Sequence, residues 1–228
     1  MKNELFSRLV PLIGDVGYKR LQKARVVVVG LGGVGGACAE ALSRSGVGRI
    51  DLVDGDIVRP SNMNRQIVAL HSTIDAKKAD VMKARILDIN PDCDVRSHPF
   101  DYDEENRDEL LAEGVDFVFD AIDSFADKVD LIVHALKKGI PVLTSCGMGN
   151  RLNPDKIVLT DLFETDGDPL ARKLRKALRK ESIDALPVVF STEKPLKKGS
   201  GPPYSSAFVP PAAGIRAAAH IVKTLIEE

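Results

Sequence analysis

A glycine-rich turn between a buried strand and a helix constrains this chain more than any other feature. Residues 26–29 are four consecutive valines, which is typical of a parallel strand buried on both faces. They lead into Gly30, Gly32 and Gly35, spaced as G-x-G-x-x-G, and then into a helix of small residues. Such a turn lets backbone N–H groups and a helix N-terminus approach phosphate oxygens closely. The stretch therefore predicts a nucleotide site; the alternative is a tight turn that binds no ligand.

The next strand strengthens this interpretation. It is predicted over residues 49–53, and Asp54 follows it at once. A carboxylate at this position can accept hydrogen bonds from a ribose hydroxyl. The glycine motif alone is a weak signal, but the motif, its flanking elements and Asp54 together indicate a nucleotide site.

Strand and helix patterns alternate along most of the chain, which has 228 residues. This alternation predicts an α/β fold with a Rossmann-like, doubly wound, mainly parallel sheet and helices on both faces. We expect one domain over residues 1–228, long enough to bury a full core. The predicted strands are 25–29, 49–53, 94–98, 115–120 and 140–144, and the predicted helices are 33–45, 75–89 and 125–138.

Two further segments flank this core. Residues 1–22 are predicted to be helical, and residues 150–228 to form a strand-and-helix extension. Between 194 and 206, three lysines, three prolines and two glycines predict a mobile surface loop. The extension would hold strands over 156–163 and 187–191, a basic helix over 168–180, and a last helix over 211–226 with an apolar stripe of Ile215, Ala219, Val222 and Ile226.

Composition argues against several classes of protein. The net charge is −1, so no overall field attracts nucleic acid, and any RNA contact needs a local patch. Three cysteines without a C-x-x-C pair argue against a disulfide framework and against a structural zinc site. No apolar run reaches membrane-spanning length and no signal-peptide pattern opens the chain. We therefore expect a cytoplasmic protein without a membrane partner.

Cations in the connection after the second strand suit a triphosphate. A triphosphate undergoing cleavage develops negative charge that needs fixed cations. Arg65 offers a bidentate fork and Lys78 a mobile point charge, although both could be ordinary surface cations. Lys77 stands beside Lys78, and either lysine could serve.

A second polar group follows the buried strand that ends near residue 120. Ligands of α/β proteins sit outside such strand ends, where a carboxylate can hold magnesium that bridges phosphates. Asp123 is the better magnesium candidate, while Asp120 would cap or brace the turn. Lys128, on the next helix, is either a phosphate ligand or a salt-bridge partner. Cys146 is either a nucleophile or, as we favour, a small core residue.

In combination, five motifs resemble the ThiF/MoeB/HesA superfamily, which includes ubiquitin-activating enzymes and bacterial activators of sulfur carriers. The motifs are GLGGVG, DGD, SNMNRQ, AKK before a helix, and DAIDS, and the resemblance covers nearly the whole chain. It implies ATP-dependent adenylation of a carboxylate, with magnesium held by Asp123. It also implies a homodimer in which Arg8 reaches the partner's ATP. The implied nucleotide-binding set is Gly30, Gly32, Gly33, Gly35, Asp54 (ribose), Asp56, Asn62, Arg65, Gln66, Lys78 and Asp123.

Within the superfamily the chain resembles tRNA threonylcarbamoyladenosine dehydratases, most clearly at residues 41–48, 64–66, 89–91, 120–124 and 168–172. Such enzymes activate the carboxylate of a threonine moiety on a modified adenosine beside the anticodon, and loss of water closes a ring. The resemblance implies tRNA as a partner, with sulfur-transfer proteins as a further class.

The predicted basic helix bears on this substrate. Taken alone, its cations are typical of a solvated helix face, but with the family resemblance they predict contact with a tRNA backbone. An alternative basic patch is Lys194, Lys197 and Lys198. The six helix cations are Arg172, Lys173, Arg175, Lys176, Arg179 and Lys180.

Four functions compete at this stage. An ATP-dependent RNA-modifying enzyme is favoured, followed by an adenylyltransferase acting on the C-terminal glycine of a ubiquitin-like sulfur carrier. The chain lacks the paired zinc cysteines of the sulfur-carrier activators. An NAD(P)-dependent oxidoreductase would share the glycine motif, but Arg65, Lys78 and Asp123 argue against it. The fourth is a nucleotide-sensing interaction protein.

Overall fold

The computed structural model describes residues 2–196 and 203–227. Seven strands form one sheet in the order β3-β2-β1-β4-β5-β7-β6, with every neighbouring pair parallel except the antiparallel pair of β6 and β7. The predicted fold class, a mainly parallel doubly wound sheet, is confirmed. The strands are β1 Arg25–Val29, β2 Arg49–Val53, β3 Asp94–His98, β4 Phe117–Asp120, β5 Val142–Ser145, β6 Ile157–Asp161 and β7 Pro187–Ser191.

Helices cover both faces of the sheet because alternate strand residues point to opposite sides. Val26 and Val28 belong to one hydrophobic cluster, with residues of α2, α3, α4 and α8, whereas Val27 and Val29 belong to a second, with residues of α5, α6 and α7. The helices are α1 Lys2–Leu5, α2 Val10–Lys23, α3 Gly35–Arg44, α4 Lys78–Ile89, α5 Arg107–Leu110, α6 Phe125–Lys137, α7 Pro169–Lys180 and α8 Val209–Glu227.

The strand order reverses at β1. From this central strand the chain continues through α3 to β2 on one side, while β4 pairs on the other. Ligands of open α/β sheets bind in the crevice outside the carboxyl ends of strands at such a point. A ligand is therefore expected outside the carboxyl ends of β1, β2 and β4.

The last helix packs on the core through a face that only partly matches the predicted stripe. Ile215, at 59%, and Ala219 are exposed, whereas Val222 and Ile226 are partly buried and pack against the core. The fully buried face combines Ile221 and Leu225 with the small residues Ala213, Gly214, Ala217 and Ala218. A Cβ on Gly214 would lie 2.2 Å from the carbonyl oxygen of Val34, so α8 packs very closely on the small residues of α3. The predicted stripe is therefore correct at Val222 and Ile226 and wrong at Ile215 and Ala219, because the close approach of α3 places small residues in the contact near Gly214.

The N-terminal helical segment is broken rather than continuous. Residues 6–9 form turns between α1 and α2, and Gly14 interrupts α2 with φ of 73°. The helical segment predicted over residues 1–22 is therefore present but divided, and within α2 the break falls at Gly14, because a left-handed glycine cannot continue an α-helix.

The expected surface loop at 194–206 is only partly described. Its residues 197–202 lie outside the described part of the chain, and so do Lys197 and Lys198 of the alternative basic patch. No helix in the described ranges is long and apolar enough to cross a membrane.

Candidate active site

A cleft of about 450 Å³ opens at the carboxyl ends of β1, β2 and β4. Most of the predicted nucleotide-binding residues line it, drawn from four separate stretches of chain. They are Gly30, Gly32, Asp54, Asp56, Asn62, Arg65, Gln66, Lys78 and Asp123. A larger groove of about 800 Å³ lies between α2 and the amino ends of β2 and β3, and none of the predicted site residues lines it.

Three predicted residues lie outside the cleft. A Cβ on Gly33 would meet Pro210 at 2.9 Å, so this glycine serves the packing of α8. Gly35 is fixed by the turn itself, since a Cβ there would stand 1.7 Å from the carbonyl oxygen of Gly30. Arg8 is exposed in the turn between α1 and α2 and does not reach the cleft of its own chain.

Gly32 differs from these packing glycines. Among the described residues, a Cβ added to Gly32 would meet a single atom within 4 Å, Nε2 of Gln66 at 3.8 Å, and Gly32 itself lines the cleft. Protein packing therefore does not demand a glycine here. A ligand that needs close approach to the backbone does, which is the role of the middle glycine in nucleotide-binding turns.

Asp54 joins the glycine turn to β2. Its Oδ2 accepts a hydrogen bond from the Leu31 backbone N–H at 2.6 Å, and its Oδ1 accepts one from Asp56 N–H at 2.9 Å. Burial raises the pKa of Asp54 above its ordinary value, and the charge of Lys78 and the two backbone donors offset only part of that rise. The carboxylate is thus fixed at the cleft wall, with lone pairs that remain for a sugar hydroxyl.

The two adjacent lysines have different orientations. Lys78 opens α4 at the cleft, with Nζ 2.6 Å from Oδ2 of Asp56 and 3.8 Å from Oδ1 of Asp54. Nζ of Lys77 instead donates to the Gly55 carbonyl oxygen at 2.9 Å. Of the pair that the sequence left open, Lys78 is therefore the one whose ammonium group faces the cleft.

The segment after Asp56 brings amide and guanidinium groups to the same cleft. Arg65 is half-buried, and its Nη1 donates to Ser61 O at 3.0 Å and to Asn64 Oδ1 at 2.9 Å. Gln66 is 8% exposed, and its Oε1 has no hydrogen-bond partner among the described residues. A buried amide oxygen without a partner is costly in a protein that functions without a ligand. Its position at the cleft wall fits a bound molecule that supplies a donor.

Three residues that the sequence analysis missed also line the cleft. They are the carboxylates Asp101 and Asp127 and the phenol Tyr102. The first two carry signals that were present in the sequence. Asp101 follows the end of β3 as Asp54 follows β2, and Asp127 lies one helical turn after Asp123. No group of three or more His, Cys, Asp or Glu side chains suited to a metal occurs among the described residues.

Lys128 is a salt-bridge partner, which decides between its two predicted roles. Its Nζ donates to Asp120 Oδ2 at 2.7 Å, to Thr144 Oγ1 at 3.1 Å and to Ser145 O at 3.2 Å. The Lys128 and Asp120 side chains are both fully buried. This network braces the ends of β4 and β5 and lies outside the cleft.

Cys146 is a buried free thiol that follows β5. Burial raises its pKa to about 12, and the Asp168 carboxylate adds to the rise. Since the thiolate is the nucleophile, a thiol with this pKa is a poor one at neutral pH. The structure thus supports the core role that the sequence analysis favoured.

The basic helix α7 presents most of its cations to solvent. Ala171, Leu174 and Leu178 are buried, while Arg172, Lys173, Lys176, Arg179 and Lys180 are exposed. Arg175 is the exception, because its Nη1 donates to Leu162 O, Thr165 O and Thr165 Oγ1. Its guanidinium group is therefore engaged within the protein.

This chain is similar to known proteins over nearly its whole length. The model of the ThiF family matches residues 6–225. The chain belongs to the ThiF family. Over 241 aligned residues this family member is 41% identical to the tRNA threonylcarbamoyladenosine dehydratase of Bacillus subtilis, and the match covers 98% of this chain and 95% of the relative.

A solved structure and a second relative extend the comparison. The crystal structure of the Escherichia coli tRNA N6-threonylcarbamoyladenosine dehydratase in complex with ATP superposes with a TM-score of 0.94 and 35% identity, covering 99% of this chain and 95% of that chain. The sulfur carrier protein ThiS adenylyltransferase of Bacillus subtilis is 37% identical over 153 residues, covering 65% of this chain and 44% of the relative. Sequence similarity thus extends to relatives of both kinds, over nearly the whole chain for the dehydratase and over about two thirds of it for the adenylyltransferase.

Proposed function

We propose that this ThiF-family chain is an ATP-dependent tRNA threonylcarbamoyladenosine dehydratase that acts as a single domain. The observation that carries the proposal is the extent of the match to the Bacillus dehydratase. That match runs over almost the whole chain, so it includes the basic helix outside the cleft, whereas the sulfur-carrier enzyme matches a smaller part. A tRNA substrate also agrees with a cytoplasmic protein.

The cleft residues suit ATP. In this proposal Asp54 accepts hydrogen bonds from the ribose hydroxyl groups, and Gly32 lets the phosphates approach the backbone. Asn62, Arg65 and Lys78 hold the phosphates, with Gln66 and Asp56 at the same wall. Bound ATP would supply the adenylyl group that activates the substrate carboxylate. Arg65 and Lys78 would stabilise the charge that develops as pyrophosphate leaves, which is where fixed cations act most strongly.

Magnesium belongs to the same proposal. Asp123 and Asp127 face the cleft from the end of β4 and the first turn of α6. Magnesium on a nucleotide commonly takes one or two protein carboxylates, with phosphate oxygens and water as its other ligands. A pair of carboxylates is therefore sufficient, and Asp123 remains our first candidate.

Ring closure needs no protein nucleophile. The carbamoyl group of the same substrate moiety attacks the activated carboxyl carbon, and AMP leaves with the oxygen that would otherwise form water. The high pKa of Cys146 agrees with a mechanism that does not use a cysteine. The task of the protein is to hold both reacting groups and exclude water.

The test measures pyrophosphate release with three acceptors: tRNA carrying threonylcarbamoyladenosine, a ubiquitin-like sulfur carrier, or none. We expect pyrophosphate release only when the acceptor is tRNA carrying threonylcarbamoyladenosine, and a product nucleoside lighter by one water. Unmodified tRNA serves as the control and should give no release. Release with the sulfur carrier and not with tRNA would establish the second candidate, which the 37% identity to a sulfur carrier adenylyltransferase favours. Tight NADH binding without ATP binding would establish an oxidoreductase, and ATP binding without turnover an interaction protein.

A homodimer is part of the proposal, with Arg8 completing the partner's site. Arg8 is exposed and is not among the residues that line the cleft of its own chain, which supports a role in trans. Inactive Arg8→Ala and Asp123→Ala proteins are mixed and allowed to exchange subunits. Each mixed dimer would then contain one intact site, so about a quarter of all sites should recover. Absence of recovery after verified exchange, or a monomer in solution, would exclude the shared site.

A further inference from the structure

A small apolar surface lies outside the ATP cleft, and we call it the Tyr204 shelf. It surrounds a cavity of about 160 Å³ and is formed by Asn150, Arg151, Leu152, Leu196, Tyr204 and Ser205. Three of these side chains are large, apolar and yet exposed: Leu152 by 57%, Leu196 by 42% and Tyr204 by 61%. Three exposed side chains with apolar surface grouped around one cavity form a candidate interaction surface, whereas singly scattered ones need no explanation.

Asn150 holds the two chain segments of the shelf together. Its backbone N–H donates to Tyr204 O at 2.7 Å, and its Oδ1 accepts from Tyr204 N–H at 2.9 Å. Its carbonyl oxygen accepts from Leu196 N–H at 2.8 Å. Asn150 does this with φ of 58°, a left-handed conformation that asparagine tolerates better than most residues. The shelf is therefore preformed by two backbone hydrogen bonds and one hydrogen bond to the Asn150 side chain.

On one side the shelf is connected to the ATP cleft. Ser205, which follows Tyr204, accepts a hydrogen bond through its carbonyl oxygen from Asn64 Nδ2 at 2.9 Å. The Oδ1 of the same Asn64 accepts from Arg65 Nη1 at 2.9 Å, and Arg65 lines the cleft. A substrate group in the cleft thus has the Tyr204 shelf as a near neighbour.

On the other side the shelf is connected to the basic helix. Arg151 is 4% exposed, and its Nη2 donates to Asp168 Oδ2 at 2.8 Å. The other oxygen of Asp168 accepts from Ala171 N–H at 2.9 Å and so caps the start of α7. This buried salt bridge fixes the exposed Arg172 and the cations after it relative to the shelf.

We propose that the Tyr204 shelf binds one unpaired nucleobase of the tRNA, next to the modified adenosine, by stacking it on the Tyr204 ring. This inference rests on the proposed function. Proteins bind single-stranded RNA by combining cations that follow the backbone with aromatic side chains on which splayed bases stack. The shelf supplies the aromatic and aliphatic surface, and α7 supplies the cations, with the reacting cleft beside them. The charge of α7 complements a polynucleotide better than a basic or apolar peptide.

The test compares Tyr204→Ala with Tyr204→Phe, which keeps the ring. With modified tRNA, Tyr204→Ala should raise KM about 5-fold to 150-fold, the range for loss of one stacked base, and Tyr204→Phe should stay near wild type. The KM for ATP should not change in either variant. An anticodon-loop oligonucleotide with 2-aminopurine beside the adenosine gives a direct readout, since its fluorescence should be quenched by the wild type and by Tyr204→Phe.

The outcomes separate this inference from the proposed function. If the wild type turns over modified tRNA and Tyr204→Ala keeps the wild-type KM and quenching, the shelf does not bind a base and the inference is wrong. If the wild type acts on a sulfur carrier alone and Tyr204→Ala impairs that reaction, the shelf binds a peptide. Failure of the wild type with every RNA overturns both proposals, whereas failure of Tyr204→Ala alone supports the inference.

Discussion

Two buried lysines, each in the first turns of a helix that follows a strand of the same sheet, have contrasting surroundings. Nζ of Lys128 has three acceptors within the protein, and the side chain is fully buried. Lys78 is nearly as buried, yet its short contact is to Asp56, whose side chain is 74% exposed, and Asp54 is 3.8 Å away. Lys128 lies behind the cleft wall and Lys78 lies on it.

This contrast teaches how to separate structural from ligand-binding cations. An ammonium group has three donor hydrogens, and Lys128 uses them all on its own fold. Lys78 retains capacity toward the cleft, where phosphate oxygens are the acceptors that fit. The same contrast recurs within α7, between the engaged Arg175 and the exposed Arg172. Predictions for Lys128, for Lys78 and for the two α7 arginines test this contrast, and a prediction for Asp51 adds a carboxylate that is paired within the protein; their expected effects decrease from Lys128 to α7.

The first prediction concerns Lys128. Lys128→Met should lower the free energy of unfolding by about 3–5 kcal/mol, because it leaves the Asp120 carboxylate buried without its cation. Urea denaturation measures the loss. The double variant Lys128→Met/Asp120→Leu should recover part of it, since the unpaired charge is then gone. A loss below about 1 kcal/mol in the single variant would show that this buried pair contributes no more to stability than an ordinary surface salt bridge.

The second prediction concerns Lys78, with Lys77 as its matched control. Lys78→Met should reduce kcat by about 10²–10³-fold, the usual effect of removing one group that stabilises developing charge. Lys77→Met should stay close to wild type, because Lys77 Nζ donates to Gly55 O instead of facing the cleft. Steady-state pyrophosphate release measures both. Equal losses in the two variants would contradict the assignment of Lys78.

The third prediction concerns Asp51, a buried carboxylate in the middle of β2 that binds Arg25, Arg49 and His98. Burial alone would raise its pKa, but these hydrogen bonds and the Arg25 charge outweigh burial and hold the pKa well below its ordinary value. A lowered folded-state pKa stabilises the protein above the unfolded-state pKa, and this stability is lost as pH falls toward the folded-state value.

We therefore expect unfolding free energies to fall by on the order of 2–3 kcal/mol from this group as pH drops below about 4. Denaturation at a series of pH values measures the slope. Asp51→Asn should flatten that slope, and Asp88→Asn, at an exposed position, should leave it unchanged. An unaltered slope in Asp51→Asn would assign the acid sensitivity to other carboxylates.

The fourth prediction extends the comparison to α7. Arg172→Gln should reduce the log–log salt slope of tRNA binding by about 0.7–0.9, the value for one phosphate contact. Arg175→Gln should leave the slope near wild type, because its guanidinium group serves Thr165 and Leu162. Equilibrium binding of tRNA, measured at several salt concentrations, gives the slope of each variant. The reverse pattern would mean that Arg175 leaves its internal acceptors when RNA binds.

Much of the candidate site could be predicted because chain order encodes it. In a doubly wound sheet the residues that follow parallel strands meet at one edge, so Asp54 after β2 and Asp123 after β4 were accessible from the sequence. Applying the same rule to β3 would have found Asp101. Gly33 and Gly35 lie outside the cleft lining, and the sequence could not show this, because a glycine motif does not reveal which glycine faces a cleft and which faces neighbouring protein.

By itself the sequence determined the parallel α/β architecture, the strand-turn-helix at Gly30 and the cationic face of α7, since these follow from local periodicity and composition. The tertiary structure alone decided that Lys78 and not Lys77 faces the cleft, that Lys128 pairs with Asp120, and that small residues join Ile221 and Leu225 on the buried face of α8. The physical reason is that these outcomes depend on distances between segments far apart in the chain. Burial, desolvation and hydrogen-bond saturation exist only once those segments have come together.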